Sequence, residues 1–211
     1  MKDHDIYAVD APSTSWRLGT EVEGLGQFAN AMGFDTFHIV GYSFGASLAL
    51  AFASKHLHRL RSMTLIEPDW IGNIGISTEE TKYHDELKMI FHSPPEKFLE
   101  DFMRLKVCSD VKIPRLETSY DLEKRAVGLR AFLRGFEATE LLYGKFSTFT
   151  GPVYIALGDQ SNPVEIVKAK RLKSAFPKSS VNVYEGCHHW APPQMSQPER
   201  FAAAMLKLWS A

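Results

Sequence analysis

Cysteine is scarce in this sequence. Only Cys108 and Cys187 occur among its 211 residues, far apart and without C-x-x-C spacing. That pattern excludes a disulfide scaffold and argues against a zinc knuckle. An excess of one charge is also missing: 24 basic against 25 acidic residues leave a formal charge of −1. Nothing draws the chain electrostatically to phosphates, so neither a nucleic-acid partner nor a polybasic membrane contact is expected. No apolar run approaches the ~20 residues that a membrane span needs, and Met1-Lys2-Asp3-His4-Asp5 opens no signal-peptide core. Internal repeats and low-complexity tracts are absent. What is present is ordinary: 45% hydrophobic and 23% charged residues, as in an average globular protein. The length fits one domain with an inserted subdomain. The expectation is a soluble, cytoplasmic, compact protein.

Short β-rich segments alternate with helical patterns, the mark of an α/β fold with a mostly parallel sheet and helices on both faces. The expected strands are Asp5–Val9, Thr36–Gly41, Ser62–Ile66, Pro152–Leu157 and Ser180–Tyr184. Most are continuous apolar runs bounded by Gly, Pro or Asp, as strands buried on both faces should be. Val22, Leu25, Phe28, Ala29 and Met32 mark a helix face that Gly33 can end. Ala46–Ala53 reads as a small-residue helix for close packing. Ala169, Leu172 and Phe176 form another stripe, and Phe201, Met205 and Leu208 the last.

From about Trp70 to Thr148 the alternation stops. Three helical stripes occupy this stretch: Leu87–Ile90–Phe91, Phe98–Phe102–Leu105 and Leu129–Phe132–Leu133–Phe136. Ser77-Thr78-Glu79-Glu80 and Ser93-Pro94-Pro95-Glu96 both read as capping boxes. The division expected is a core of residues 1–69 and 149–211 with a helical cap, or lid, over 70–148.

The most informative residues are Gly41-Tyr42-Ser43-Phe44-Gly45, a G-x-S-x-G set between a strand and a helix. Reversal from strand to helix within one residue forces Ser43 into a strained conformation with its hydroxyl above the sheet. Side chains two positions to either side would collide across so sharp a turn, which accounts for both glycines. The unpaired N–H groups of the next helix face any negative charge forming on a substrate, and the Phe44 amide is an oxyanion donor. Serine alone is a poor nucleophile and needs a base held by a third group. Past the final strand come Glu185-Gly186-Cys187-His188-His189-Trp190. Adjacent histidines in extended chain point to opposite faces, so only one can serve. His56-x-His58 has metal-like spacing, but no cysteine or carboxylate cluster completes a site.

Gly41–Gly45, the late Gly158-Asp159 and Cys187-His188-His189-Trp190, in that chain order, resemble the α/β-hydrolase superfamily over nearly all of the chain. Relatives commonly carry Gly-His-Trp or Gly-His-Phe at the histidine, a register that makes His189 the base and sets His188 in the glycine's place. Relatives usually end the penultimate strand with Gly-x-x-Asp, which here reads Gly158-Asp159-Gln160-Ser161. The expected position holds serine, and the carboxylate sits two residues early, ~6.6 Å of extended chain. Other relatives place the acid after the strand that follows the elbow helix, here Leu65-Ile66-Glu67-Pro68-Asp69. Asp159 and Glu67 are therefore rival acids, with Asp69 behind them.

The resemblance also implies strands and a His-Gly-type loop ahead of the segment that Asp5–Pro12 matches. That loop normally supplies the second oxyanion donor, and losing one donor costs ~10²–10³ in turnover. The segment Asp10–Ser15 lacks the glycines usual there. An N-terminally shortened fold, or a sheet that closes over the gap, is expected. An unpaired strand edge would invite a second copy of the chain, making a homo-oligomer.

The function expected is a serine hydrolase, esterase-like, acting on an ester, thioester or related acyl bond of a small, mostly apolar substrate. No metal or organic cofactor is implied. Carbon–carbon bond hydrolysis uses the same constellation in relatives. A catalytically silent α/β-hydrolase-like protein that binds a ligand or partner is the reading from a different class.

Overall fold

The computed structural model describes residues 5–8, 18–113, 120–141 and 143–210. Four segments pair as one parallel sheet in the order β1 (Phe37–Tyr42), β2 (Leu60–Ile66), β3 (Val153–Gly158), β4 (Ser179–Tyr184). The two central strands are the most apolar. Every residue of β3 and all but Arg61 of β2 are buried, as strands covered on both faces require. The outer strands are only half covered, and Val40 on β1 is exposed.

Helices lie on both faces of this sheet. On one side sit α1 (Leu18–Ala31), α2 (Phe44–His56) and α6 (Val164–Ala175), sharing one core with β2 and β3. Alanines 46, 49, 51 and 53 are buried in it, and their small side chains let α2 lie close to the strands. Gly33 ends α1 with φ 72°, and the Phe34 N–H reaches back to the Ala29 carbonyl at 2.8 Å, the closure that a left-handed residue permits. On the other face α8 (Pro198–Trp209), preceded by the one-turn α7 (Pro193–Ser196), brings Phe201 and Met205 onto Ile66, Tyr154, Ala156 and Tyr184.

The strand expected over Asp5–Val9 is not found among the described residues. Residues 5–8 carry no regular structure, and Val9 lies outside the described residues. The Tyr7 ring packs on the rings of Phe28 and Phe34 at 5.9 and 5.3 Å. Side-chain packing against α1 thus holds this segment, while Ile6 stays exposed. The glycine-poor Asp10–Ser15 also lies outside the described residues.

Between β2 and β3 come α3 (Thr78–Phe91), α4 (Pro95–Leu105) and α5 (Tyr120–Glu137). Ser77 caps α3 in a full capping box, with Glu80 N–H on Ser77 Oγ at 3.2 Å and Ser77 N–H on Glu80 Oε2 at 3.1 Å. The second capping box does not form. Helix α4 begins at Pro95 with Pro94, one residue past Ser93, in the N-cap position, where the proline side chain makes no capping hydrogen bond. Phe98, Leu99 and Ala126 pack with Ile90, Leu129 and Leu133 into a separate small core. Polar contacts tie α5 to the loop after β2, and α3 to α6. Asn73 Nδ2 donates to the carbonyls of Phe136 and Thr139 at the end of α5, at 3.0 and 2.9 Å. Arg171 on α6 grips Glu80 at 2.6 Å. Among the described residues no helix is long and apolar enough to cross a membrane.

Candidate active site

Parallel register carries all four strands to one C-terminal edge, where ligands of open α/β sheets bind. Tyr42 lies opposite Ile66, and Gly158 opposite Tyr184. The ladder runs one residue further at two places. Ser43 N–H donates to the Ile66 carbonyl at 2.9 Å, and Glu67 N–H to that of Ala156 at 3.1 Å. Ser43 and Glu67 are thus the first residues past adjacent strand ends. Both sit at positive φ, 55° and 43°, an uncommon conformation for residues with a side chain.

Gly41 is what makes the turn at Ser43 possible. A Cβ there would lie 2.4 Å from the Gly45 carbonyl oxygen and 2.5 Å from Ala46 Cα. The expected collision does not extend to Gly45, whose Cβ position is open. The chain bends back onto the strand side of the turn only, so one glycine suffices. Phe44 begins α2, where helix geometry gives its N–H no intrahelical acceptor. Its ring stacks on Phe132 and Phe136 of α5, at 4.4 and 5.8 Å.

His189 reaches Ser43 from the loop after β4. Gly158 permits this approach, since a Cβ on it would meet the Cys187 carbonyl at 2.1 Å. His189 Nε2 lies 3.1 Å from Ser43 Oγ, and its Nδ1 lies 2.8 Å from Glu67 Oε2. The Tyr42 hydroxyl donates to the His189 carbonyl and pins the loop. His188 faces elsewhere: its Nδ1 accepts the Trp190 N–H at 3.2 Å.

Of the rival carboxylates, Glu67 meets the imidazole and Asp159 does not. Asp159 is exposed and accepts the Gly186 N–H at 2.8 Å, spending its carboxylate on the turn that precedes the histidines. Glu67 is 1% exposed. Its other oxygen accepts Gly158 N–H at 2.7 Å and Ser161 Oγ–H at 2.5 Å. Ser161, in the position where relatives usually carry the acid, therefore donates to the carboxylate from β2. Asp69 is also present, with Oδ2 accepting the Ser43 hydroxyl at 2.7 Å and Oδ1 against the Lys106 ammonium.

Burial sets the electrostatics. It pushes Glu67 above the usual carboxylate range, against the pull of the Gly158 and Ser161 donors and the two lysines. Burial, then the Lys106 charge, holds His189 well below the usual imidazole value. Lys106 itself, enclosed by the Tyr83 and Phe102 rings, is pulled down by burial to about 7. Lys168 donates to the Pro68 carbonyl at 2.5 Å and pairs with Glu165 at 2.7 Å, bracing the Glu67–Asp69 turn from α6. Among the described residues no group of three or more His, Cys, Asp or Glu could hold a metal ion.

A model of the alpha/beta hydrolase fold matches residues 11–194. The chain belongs to the alpha/beta hydrolase fold family. It is 25% identical over 186 residues to a 2-hydroxy-6-oxononadienedioate/2-hydroxy-6-oxononatrienedioate hydrolase of Pseudomonas putida, covering 85% of this chain and 64% of that one. It is 24% identical over 205 residues to a monoacylglycerol lipase of Xenopus laevis, covering 88% and 58%. The chain therefore spans about three-fifths of the length of these curated relatives. Among solved structures, a thermophilic esterase from Thermogutta terrifontis superposes with TM-score 0.64 at 20% identity, over 92% of this chain and 72% of that one. An alpha/beta hydrolase enzyme from a Medee basin deep-sea metagenome library gives TM-score 0.64 at 16% identity, over 93% and 73%.

In this member of the alpha/beta hydrolase fold family a cavity of about 690 Å³ opens beside the site, between α3, α5 and the turn after β2. Trp70, Leu87, Phe91, Leu133 and Phe136 supply its apolar wall, Asp69 and Asn73 lie on its lining, and His84, Lys88, His92, Arg134 and Glu137 add charged and titratable groups. Lys106 went unseen in the sequence. A lysine closing an amphipathic helix is the ordinary complement to the helix dipole, and nothing local marks this one as 1% exposed.

Proposed function

We propose that the protein is a serine hydrolase of an ester, thioester or related acyl bond of a small, mostly apolar substrate. The reading rests on one observation, the unbroken run of contacts from Ser43 Oγ to His189 Nε2 and from His189 Nδ1 to Glu67. In this reading Ser43 is the nucleophile, His189 the general base and Glu67 the acid that fixes the imidazole tautomer and balances its charge. The low proton affinity of His189 keeps it neutral, and so competent as a base, through the physiological range. Oγ attacks the carbonyl carbon while its proton passes to Nε2, and the Phe44 N–H meets the developing oxyanion. His189 then returns the proton to the leaving group, and water repeats the sequence on the acyl-enzyme. The helices of residues 70–148 act as the cap, and the cavity that they line together with Asp69 receives the substrate, its acyl part against Trp70, Leu133 and Phe136.

A fluorophosphonate probe tests this directly. Labelling at Ser43 that disappears in Ser43→Ala, together with Ser43-dependent hydrolysis of short-chain esters, is the expected result. Folded protein that neither takes up the probe nor turns over esters would be a silent binding protein instead.

A further inference from the structure

The Ser43 hydroxyl has one hydrogen and two acceptors. Asp69 Oδ2 stands at 2.7 Å and His189 Nε2 at 3.1 Å. The charged and nearer acceptor holds the hydrogen at rest, because charge-assisted bonds are the shorter and stronger ones. Acylation must take that hydrogen to His189. At that moment Oδ2 loses its donor, and the Lys106 ammonium lies against the other oxygen, Oδ1. Asp69 is only 5% exposed, and a buried carboxylate oxygen stripped of its donor is costly. The same residue lines the cavity, so the missing donor can be delivered by whatever fills it.

We propose that Asp69 is a specificity-determining residue, selecting acyl substrates that carry a hydroxyl close to the scissile bond. The inference rests on the serine hydrolase reading above. Oδ2 lies 2.7 Å from the very atom that becomes bonded to the acyl carbon. Only a donor within a few bonds of the carbonyl, on the acyl or the alcohol side, can reach it. A hydroxyl fits better than an ammonium, because Lys106 already lies against the carboxylate and a second buried ammonium would have to be desolvated beside it. No atoms beyond the acylation step are involved. The Oγ–H bond breaks towards Nε2, the Oγ–C bond forms as the carbonyl pair moves to oxygen, and the substrate hydroxyl takes the vacated acceptor without losing its proton.

Two isosteric ester pairs provide the test. Ethyl 3-hydroxybutanoate is compared with ethyl 3-methylbutanoate, and 2-hydroxyethyl butanoate with propyl butanoate, by titrimetric kcat/KM. In the native enzyme the hydroxylated member of at least one pair is expected to lead by about tenfold or more, since a site built to bind a hydroxyl penalises its absence. In Asp69→Asn, which keeps the shape and removes the charge, that ratio should collapse towards one. Ratios near one for both pairs in the native enzyme overturn the inference whether or not the variant folds. So does a preference that survives Asp69→Asn. Ester turnover that persists in Ser43→Ala, with no fluorophosphonate labelling, instead overturns the hydrolase reading beneath it. Flat ratios with Ser43-dependent turnover defeat this inference alone.

Discussion

Two carboxylates near the site differ in what their oxygens do, and that difference is measurable. Glu67 gives one oxygen to His189 and the other to Gly158 and Ser161, whereas Asp159 gives its side chain to the Gly186 amide on the surface. Glu67→Gln is therefore expected to lower kcat by ~10⁴-fold, the usual cost of losing the carboxylate that orients a catalytic imidazole. Asp159→Asn should change kcat severalfold at most. Steady-state kinetics on one ester decides the matter, and equal losses would contradict the assignment. Ser43 and His189 were legible beforehand because each sits in a local pattern, a G-x-S-x-G and a histidine pair after the last strand. The choice between Glu67 and Asp159 was not, since both follow strands and the deciding contact spans 122 positions of sequence. Asp69 was readable only as a weak rival acid. Its contacts to Ser43 and Lys106 join three separate elements, and no spacing rule reports them.

At the scale of elements, the hydrophobic pattern carried most of the information. Continuous apolar runs located β2 and β3 to within two residues, 3.6-residue stripes located α1, α6 and α8, and the small-residue run Ala46–Ala53 located α2. The strand expected over Asp5–Val9 is not found over the described residues 5–8, because a short apolar run pairs only if a neighbouring ladder holds it, and Tyr7 packs on aromatic rings instead. The elbow shows how finely an element boundary can be specified. Gly41→Ala drives a Cβ to 2.4 Å of a backbone oxygen, so it should cost at least ~1–3 kcal/mol, as overpacking does, and should displace Ser43. Gly45→Ala meets nothing within 4 Å and is expected to fall within ~0.5 kcal/mol of the native protein or to stabilise it by up to ~1 kcal/mol through helix propensity. Urea denaturation of both variants, with fluorophosphonate labelling as the second readout, separates them. A destabilised Gly45→Ala would mean that both glycines are sterically required.

For the molecule as a whole, the burial that assembles the site also couples folding to pH. His189 is held below its ordinary value by burial and by Lys106. Its contribution to stability is therefore fully present above about pH 6.5 and is lost as pH falls from there towards its folded value, because the unfolded imidazole takes up a proton that the folded one refuses. Glu67 is raised by burial and acts in the opposite sense. Its contribution is fully present below its unfolded value of 4.5 and is lost as pH rises through the folded one. The two groups are hydrogen-bonded to each other, so single replacements should tilt the profile in opposite directions. His189→Gln is expected to flatten the fall in unfolding free energy between about pH 7.5 and 5.5, by up to ~1.4 kcal/mol per pH unit below the imidazole's unfolded value. Glu67→Gln should steepen it as pH approaches 4.5 from above, by removing the group that takes up protons on the folded side. Urea unfolding at these pH values and near pH 4.5, with an unchanged denaturant slope as the control for two-state behaviour, reads both changes. A His189→Gln profile parallel to the native one would mean that the imidazole titrates alike in folded and unfolded chains. The buried contact between the strand-end carboxylate and the late histidine would then have no thermodynamic weight.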